Sequence, residues 1–163
     1  MLVTANVAAD FDNNMNAQYT LPGGDPASIA KTFGDAYYDY SIAGIVPGVD
    51  VNNGGTKSLL DSAFLADNTV NTANIIGAGI ASYWRSVTTP GAPAHGGSSV
   101  VSVNVILLDI TITNAVLSVL TAVEQVNGWL RFHSAVEDAV KTAVFEVTEL
   151  VAGVPTVFYE GVN

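Results

Sequence analysis

Apolar positions recur at helical spacing over most of the chain, and this pattern predicts a mainly α protein. Asp25 and Pro26 form a typical N-cap and first-turn pair. The apolar stripe behind them consists of Ile29, Phe33, Tyr37 and Tyr40. We predict that this helix ends near Gly44. A second helical stretch is predicted over residues 58–87, where the polar run 67–74 divides it into two helices, and a loop rich in Pro, Gly and Ser follows.

Two later segments decide between a purely helical bundle and a mixed fold. Residues 100–112 are rich in β-branched side chains, which favours a strand, but the apolar positions of residues 100–126 fit a helical template better. That stripe consists of Val101, Val105, Leu108, Ile112, Val116, Val119 and Val123. Residues 134–152 give the clearest helical pattern. They begin with a capping box, Ser134 and Glu137, and Gly153 and Pro155 follow as stop signals.

We therefore predict a mainly α antiparallel helical bundle with an extended N-terminal arm and a short C-terminal strand. The alternative is an α+β fold with a strand near residues 100–112. Residues 1–26 are rich in Asn, Asp, Ala and Gly and lack a clear period, so we assign them to the arm. Residues 27–163 form a single helical domain. The last residues, PTVFYEGVN, have strand character.

Composition adds an expectation about association. The 163 residues suit one domain, and 49% of them are hydrophobic whereas only 12% are charged. The mean hydropathy is +0.38. A chain with so few charges to cover its surface is expected to bury apolar area against copies of itself or other proteins. We expect a homo-oligomer.

Charge and cysteine content exclude several classes of function. The net charge is −10, and the basic residues Lys31, Lys57, Arg85, Arg131 and Lys141 are scattered singly. A surface that binds nucleic acid or an anionic membrane needs clustered basic residues, so we expect neither partner. The chain contains no cysteine, which excludes disulfides and thiolate chemistry.

The stretch DVNNGGTKSLLD, residues 50–61, has the spacing of a calcium loop. Asp50, Asn52 and Asp61 stand at positions 1, 3 and 12, where such loops place oxygen ligands. The stretch is similar to a single dockerin-type loop, although position 5 is Gly54. An alternative is a turn followed by a helix capped by Ser58 and Asp61. We name Asp50, Asn52 and Asp61 as the candidate metal ligands and calcium as the one candidate cofactor.

We find no residue set that predicts an enzyme. His95 and His133 are isolated in the sequence, and a zinc site usually needs three or four ligands. The glycine-rich stretch IIGAGIAS, residues 75–82, lacks the preceding strand that a dinucleotide-binding turn requires. We interpret Gly77, Gly79 and Ala81 as positions where another helix approaches closely.

Residues 73–91, ANIIGAGIASYWRSVTTPG, combine a small-residue helix, a Tyr-Trp pair and a Pro-Gly loop. This run resembles a pattern in small virion structural proteins of tailed bacteriophages. The resemblance implies a non-enzymatic, multi-copy component of a head, neck, tail or baseplate, located in the virion. Its partners would be other copies of itself and other structural proteins of the particle. The alternative hypothesis is a calcium-stabilised protein-binding module.

Overall fold

The structure, a computed structural model, describes Leu2 and residues 4–20, 25–65, 72–106, 109–120 and 128–163. Its helices are α1 (Thr4–Thr20), α2 (Pro26–Ser41), α3 (Val51–Gly54), α4 (Ser58–Phe64), α5 (Thr72–Ser86), α6 (Asp109–Leu120) and α7 (Gly128–Lys141). Its strands are β1 (Val100–Ile106), β2 (Val144–Val151) and β3 (Val154–Glu160). Helix α1 packs against α2 and α7, and α5 packs against α4 and α6.

Helix α2 begins where the sequence predicts it. Asp25 caps the helix, because its carboxylate accepts hydrogen bonds from the backbone N–H groups of Ala27 (3.4 Å) and Ser28 (3.3 Å). Most of the predicted apolar stripe is buried, at Phe33, Tyr37 and Tyr40. Tyr37 and Tyr40 therefore belong to the core.

Helices α4 and α5 divide residues 58–87 into two, as the sequence predicts, although most of the polar run 67–74 lies outside the described residues. The predicted capping box of α4 is wrong. Lys57 occupies the N-cap position, and no side chain donates or accepts a capping hydrogen bond there.

The prediction of a mainly α helical bundle is wrong. The described residues contain an antiparallel sheet in the order β1–β2–β3 beside the helices, so the fold is α+β. The alternative strand near residues 100–112 is present as β1, but it ends at Ile106 and α6 follows from Asp109. The long helical stripe thus mixes a strand with a helix, and two of its members, Leu108 and Val123, lie outside the described residues.

The helix predicted over residues 134–152 is also wrong. Ser134 lies inside α7, which ends at Lys141, and residues 144–151 form β2. Valines four residues apart, such as Val147 and Val151, share a face in a strand as well as in a helix, so their spacing could not separate the two. The residues predicted to stop a helix belong to a hairpin instead. Ala152 (φ 51°) and Gly153 (φ 80°) form the turn that connects β2 to β3, and β3 is the predicted C-terminal strand.

The extended N-terminal arm is wrong over Thr4–Thr20, which form α1. Val7 and Phe11 are four residues apart and lie on one buried face of this helix. The ring of Phe11 lies 4.5 Å from that of Phe33 on α2. The polar residues that suggested an irregular arm lie on the solvent-exposed side, at Asp10, Asp12 and Asn13. The boundary at residue 26 stays a prediction.

The two glycines of α5 confirm the interpretation as helix-packing positions. A Cβ atom on Gly77 would lie 2.7 Å from the Cα atom of Thr113 on α6. A Cβ atom on Gly79 would collide with the side chain of Ala63 on α4 and lie 3.2 Å from its Cα atom. One helix therefore holds two neighbours at close distance through two glycines.

Residues near the two chain ends meet at one place. The backbones of Ile45 and Asn163 exchange two hydrogen bonds, of 2.8 and 3.0 Å. Leu2 and Val162 are both buried, and a Cβ atom on Gly44 would lie 3.2 Å from a methyl group of each.

Candidate functional site

The loop that joins α5 to β1, residues 88–99, is fixed at both of its ends. Near its start, the backbone N–H of Gly91 donates to the carbonyl oxygen of Gly48 (2.9 Å). Near its end, the N–H of Ser98 donates to the carbonyl oxygen of Leu150 on β2 (2.9 Å), and Leu150 donates to Ser99 (3.0 Å). The intervening residues therefore lie against the sheet.

Glu149, on β2, is the buried acidic group of this region. It lies on the core side of the strand, in line with Phe145 and Val147, and its side chain is fully buried. Its carboxylate accepts hydrogen bonds from the backbone N–H groups of three loop residues: Ala94 (2.7 Å), His95 (3.1 Å) and Gly97 (3.2 Å). We call this arrangement the Glu149 nest.

The Glu149 nest keeps the carboxylate ionised. Burial by itself would raise the pKa of Glu149, but the backbone donors and the His95 ring outweigh burial and lower it. The fit is close, since a Cβ atom on Gly97 would lie 2.8 Å from both Cβ and Oε2 of Glu149. A larger residue at position 97 would displace the loop from its acceptor.

His95 connects this carboxylate to a second one. Its Nδ1 atom lies 3.0 Å from Oε1 of Glu149, and its Nε2 atom lies 2.6 Å from Oε1 of Glu160 at the end of β3. The ring stacks on Phe158, with 3.9 Å between centroids and an interplanar angle of 10°. The hydrogen bond to Glu149, reinforced by Glu160, raises the pKa of His95. We call His95, Glu149 and Glu160 the His95 clasp.

The His95 clasp is arranged to hold a loop in place. The oxygens of Glu149 are taken up by N–H donors, and both ring nitrogens of His95 already face carboxylates. Within the described ranges, no group of three or more His, Asp or Glu side chains is arranged to hold a metal ion. The expectation that the protein is not an enzyme stays a prediction.

The candidate calcium ligands have other contacts in the structure. Asp50 caps α3, and its carboxylate accepts a hydrogen bond from the N–H of Asn52 (3.1 Å). The carbonyl oxygen of Asn52 accepts one from the hydroxyl of Tyr38 (3.0 Å). Asp61 lies on α4 and faces the backbone of Gly34 on α2. Asp50 and Asn52 thus lie together, Asp61 packs against another helix, and calcium binding stays a prediction.

The calcium hypothesis makes a thermal prediction. A free ion at about 100 times its Kd stabilises the folded state by roughly 2.7 kcal/mol, so Tm should be higher in calcium than in EGTA. The Asp50→Asn variant should lose this difference, whereas Asp39→Asn, at an exposed carboxylate on α2, should keep it. Differential scanning calorimetry measures both, and an equal Tm of the unmodified protein in the two buffers would remove calcium as a cofactor.

His133, the second histidine of the chain, lies among aromatic rings in the core. It lies inside α7, is 1% exposed, and contacts the rings of Phe11 (4.5 Å) and Phe132 (4.9 Å). Burial lowers the pKa of His133 to about 3, so its ring is neutral in the folded protein.

Comparisons of the chain with protein-family models, with curated proteins and with solved structures find no match. The resemblance of residues 73–91 to virion proteins therefore stays a prediction. Among the described helices, none combines the length and the hydropathy that crossing a membrane requires.

Proposed function

We propose that the protein is a non-enzymatic structural subunit of a multi-copy assembly, a component of a tailed-phage particle, which acts through protein–protein interfaces. The observation that carries the proposal is an exposed and almost uncharged face of the sheet. The resemblance of residues 73–91 to small virion proteins supports the assignment to a phage particle. The low charged fraction of 12% supports association with other protein chains.

The strand register defines this surface. Residues that alternate with the buried ones point away from the core, and the paired positions place them on one side. We call the set the outer sheet face: Ser102, Asn104, Ile106, Val144, Glu146, Thr148, Leu150, Pro155, Val157 and Tyr159. Val157 is 48% exposed and Tyr159 is 66% exposed. The one charged side chain of the face is Glu146, which accepts a hydrogen bond from Asn104 (3.3 Å).

The charge distribution favours a second copy as the occupant of the outer sheet face. Two copies that each carry a net charge of −10 repel one another over most of their surfaces. A face with a single carboxylate is the place where two such chains can approach with little direct repulsion. Strand β3 also borders the described sheet, and a border strand can add a strand from another chain.

We expect the purified protein to sediment as an oligomer and the Val157→Glu variant to dissociate at least about tenfold more readily. The added carboxylate would lose its hydration at the contact, and each 1.4 kcal/mol of that cost corresponds to a tenfold change in Kd. Ile75→Glu is the matched control, because Ile75 on α5 is 44% exposed and lies outside the outer sheet face.

Analytical ultracentrifugation over a range of concentrations measures both variants, and circular dichroism verifies that they are folded. A monodisperse folded monomer at high concentration would refute the assembly. Immunogold electron microscopy of particles from the native source tests the phage component separately. Particles that remain unlabelled would refute the location in the virion but would not affect the prediction of an oligomer.

A further inference from the structure

The two ring nitrogens of His95 both lie within hydrogen-bond distance of a carboxylate, at 3.0 Å from Glu149 and 2.6 Å from Glu160. A neutral imidazole has one N–H donor and one lone pair, whereas a protonated imidazole has two donors. The ring can therefore donate to both carboxylates only when it is protonated. After it loses a proton, one nitrogen presents a lone pair to a carboxylate, and that contact becomes repulsive.

We propose that His95 is a pH-dependent latch, which fastens the loop of residues 88–99 to the end of β3 while its ring is protonated and releases β3 when the ring is neutral. The latch connects two parts of one chain, so it operates in a monomer as well as in an oligomer.

The other hydrogen-bond partners of Glu149 and Glu160 determine which of the two contacts of His95 is lost. Glu149 is fully buried and keeps its hydrogen bonds from the N–H groups of Ala94, His95 and Gly97 whether or not the ring is charged. Glu160 is 20% exposed, so water can replace the ring as its hydrogen-bond donor. The neutral ring therefore keeps its proton on Nδ1, towards Glu149, and the contact with Glu160 is lost.

The groups that surround the ring set the direction of the switch. Strand β2 contributes Glu149, and β3 contributes Glu160 together with the stacked ring of Phe158. The loop itself, TTPGAPAHGGSS, contains no other charged or titratable side chain. Two anions around one imidazole favour its charged form. The latch is thus closed on the acid side and opens as the pH rises through the pKa of His95, which lies above its ordinary value of 6.5.

The test is an NMR titration of the full chain between pH 5 and 9, with the ring signals of His95 and amide-exchange protection factors as the two readouts. We expect the His95 midpoint to lie above 6.5 and protection at Phe158–Glu160 to fall through that midpoint. Protection at Ala94 and Gly97 should persist, because their bonds to Glu149 do not depend on the ring. Protection factors, corrected for intrinsic exchange, separate this change from base catalysis.

Glu160→Gln is the decisive variant, since Glu160 is partly exposed and its loss leaves the Glu149 nest intact. It should move the His95 midpoint towards 6.5 and remove the pH dependence at the end of β3. Asp39→Asn is the control, because Asp39 is an exposed carboxylate on α2 that belongs neither to the outer sheet face nor to the His95 clasp. An unmodified protein with a midpoint at or below 6.5 would overturn the latch. So would a Glu160→Gln midpoint equal to that of Asp39→Asn.

Discussion

The Gly77→Ala variant will be less stable than the unmodified protein by about 1–3 kcal/mol, as overpacking typically costs. Helix propensity alone would predict the opposite, because alanine is favoured over glycine by about 1 kcal/mol inside a helix. The close contact between α5 and α6 decides whether the substitution stabilises or destabilises the protein. The new methyl group would lie 2.7 Å from the Cα atom of Thr113. A backbone atom cannot rotate away as a flexible side chain can, so α5 and α6 would have to move apart.

Urea denaturation measures this loss, and Gly79→Ala repeats it at the contact between α5 and α4. Gly161→Ala is the control, since no atom lies within 4 Å of the position that its Cβ would take. We expect this variant to stay within about 0.5 kcal/mol of the unmodified protein. If Gly77→Ala proves as stable or more stable, the helices are not in backbone contact at that point.

The free energy of unfolding will fall by about 2 kcal/mol between neutral pH and pH 5 through His133 alone. Its pKa is about 3 in the folded protein and has its ordinary value of 6.5 in the unfolded chain. Between these two values the unfolded chain binds a proton that the folded protein does not, so acid favours unfolding. The contribution of the neutral His133 ring to the free energy of unfolding is therefore fully present above pH 6.5 and is lost as the pH falls towards 3.

His133→Phe isolates this effect, because phenylalanine keeps an aromatic ring beside Phe11 and Phe132 but does not titrate. The measured quantity is the difference in urea midpoints between pH 7.5 and pH 5, which should shrink in the variant. His133→Leu gives the same readout if the phenylalanine variant does not fold. Equal differences in the variant and the unmodified protein would show that His133 is not buried as a neutral ring. His95 acts in the opposite direction, since its raised pKa adds stability below pH 6.5 that is lost as the pH rises.

The start of helix α2 was predictable from the sequence because its capping signal is local. Asp25 and Pro26 specify the start of α2 through the backbone N–H groups of the next residues, and nothing distant is needed. The two glycines of α5 were also interpretable, because small residues on a helix imply a close neighbour whichever helix supplies it. Neither conclusion depends on the overall topology.

The sheet was not predictable in the same way. Valines four residues apart lie on one face of a helix and also on one face of a strand. The hydrophobic pattern of residues 144–151 therefore could not distinguish the two structures. The hairpin uses Ala152 and Gly153, and alanine gives little sign of the positive φ that it adopts there. The pairing of β1 with β2, between which the described helices α6 and α7 lie, then selects the strand.

The His95 clasp was beyond local analysis because its members are far apart in the sequence. His95 is separated from Glu149 by 54 positions, and only the pairing of β2 with β3 brings Glu160 to the same ring. The loop that carries His95 was predicted from its Pro, Gly and Ser content. Its acceptor was not, because an acidic residue in an apolar strand normally indicates a solvent-exposed side, as it does for Glu146 on the same strand.

The exchange of hydrogen bonds between Ile45 and Asn163 has a practical consequence for imaging. Leu2 packs at the same place, beside Gly44, so residues 2 and 163 lie close together. Gold labels attached next to these two residues will superimpose in projection, and a donor–acceptor dye pair attached there will show high transfer efficiency in the folded chain. A single tag at either position therefore locates the same point of the protein within any larger assembly.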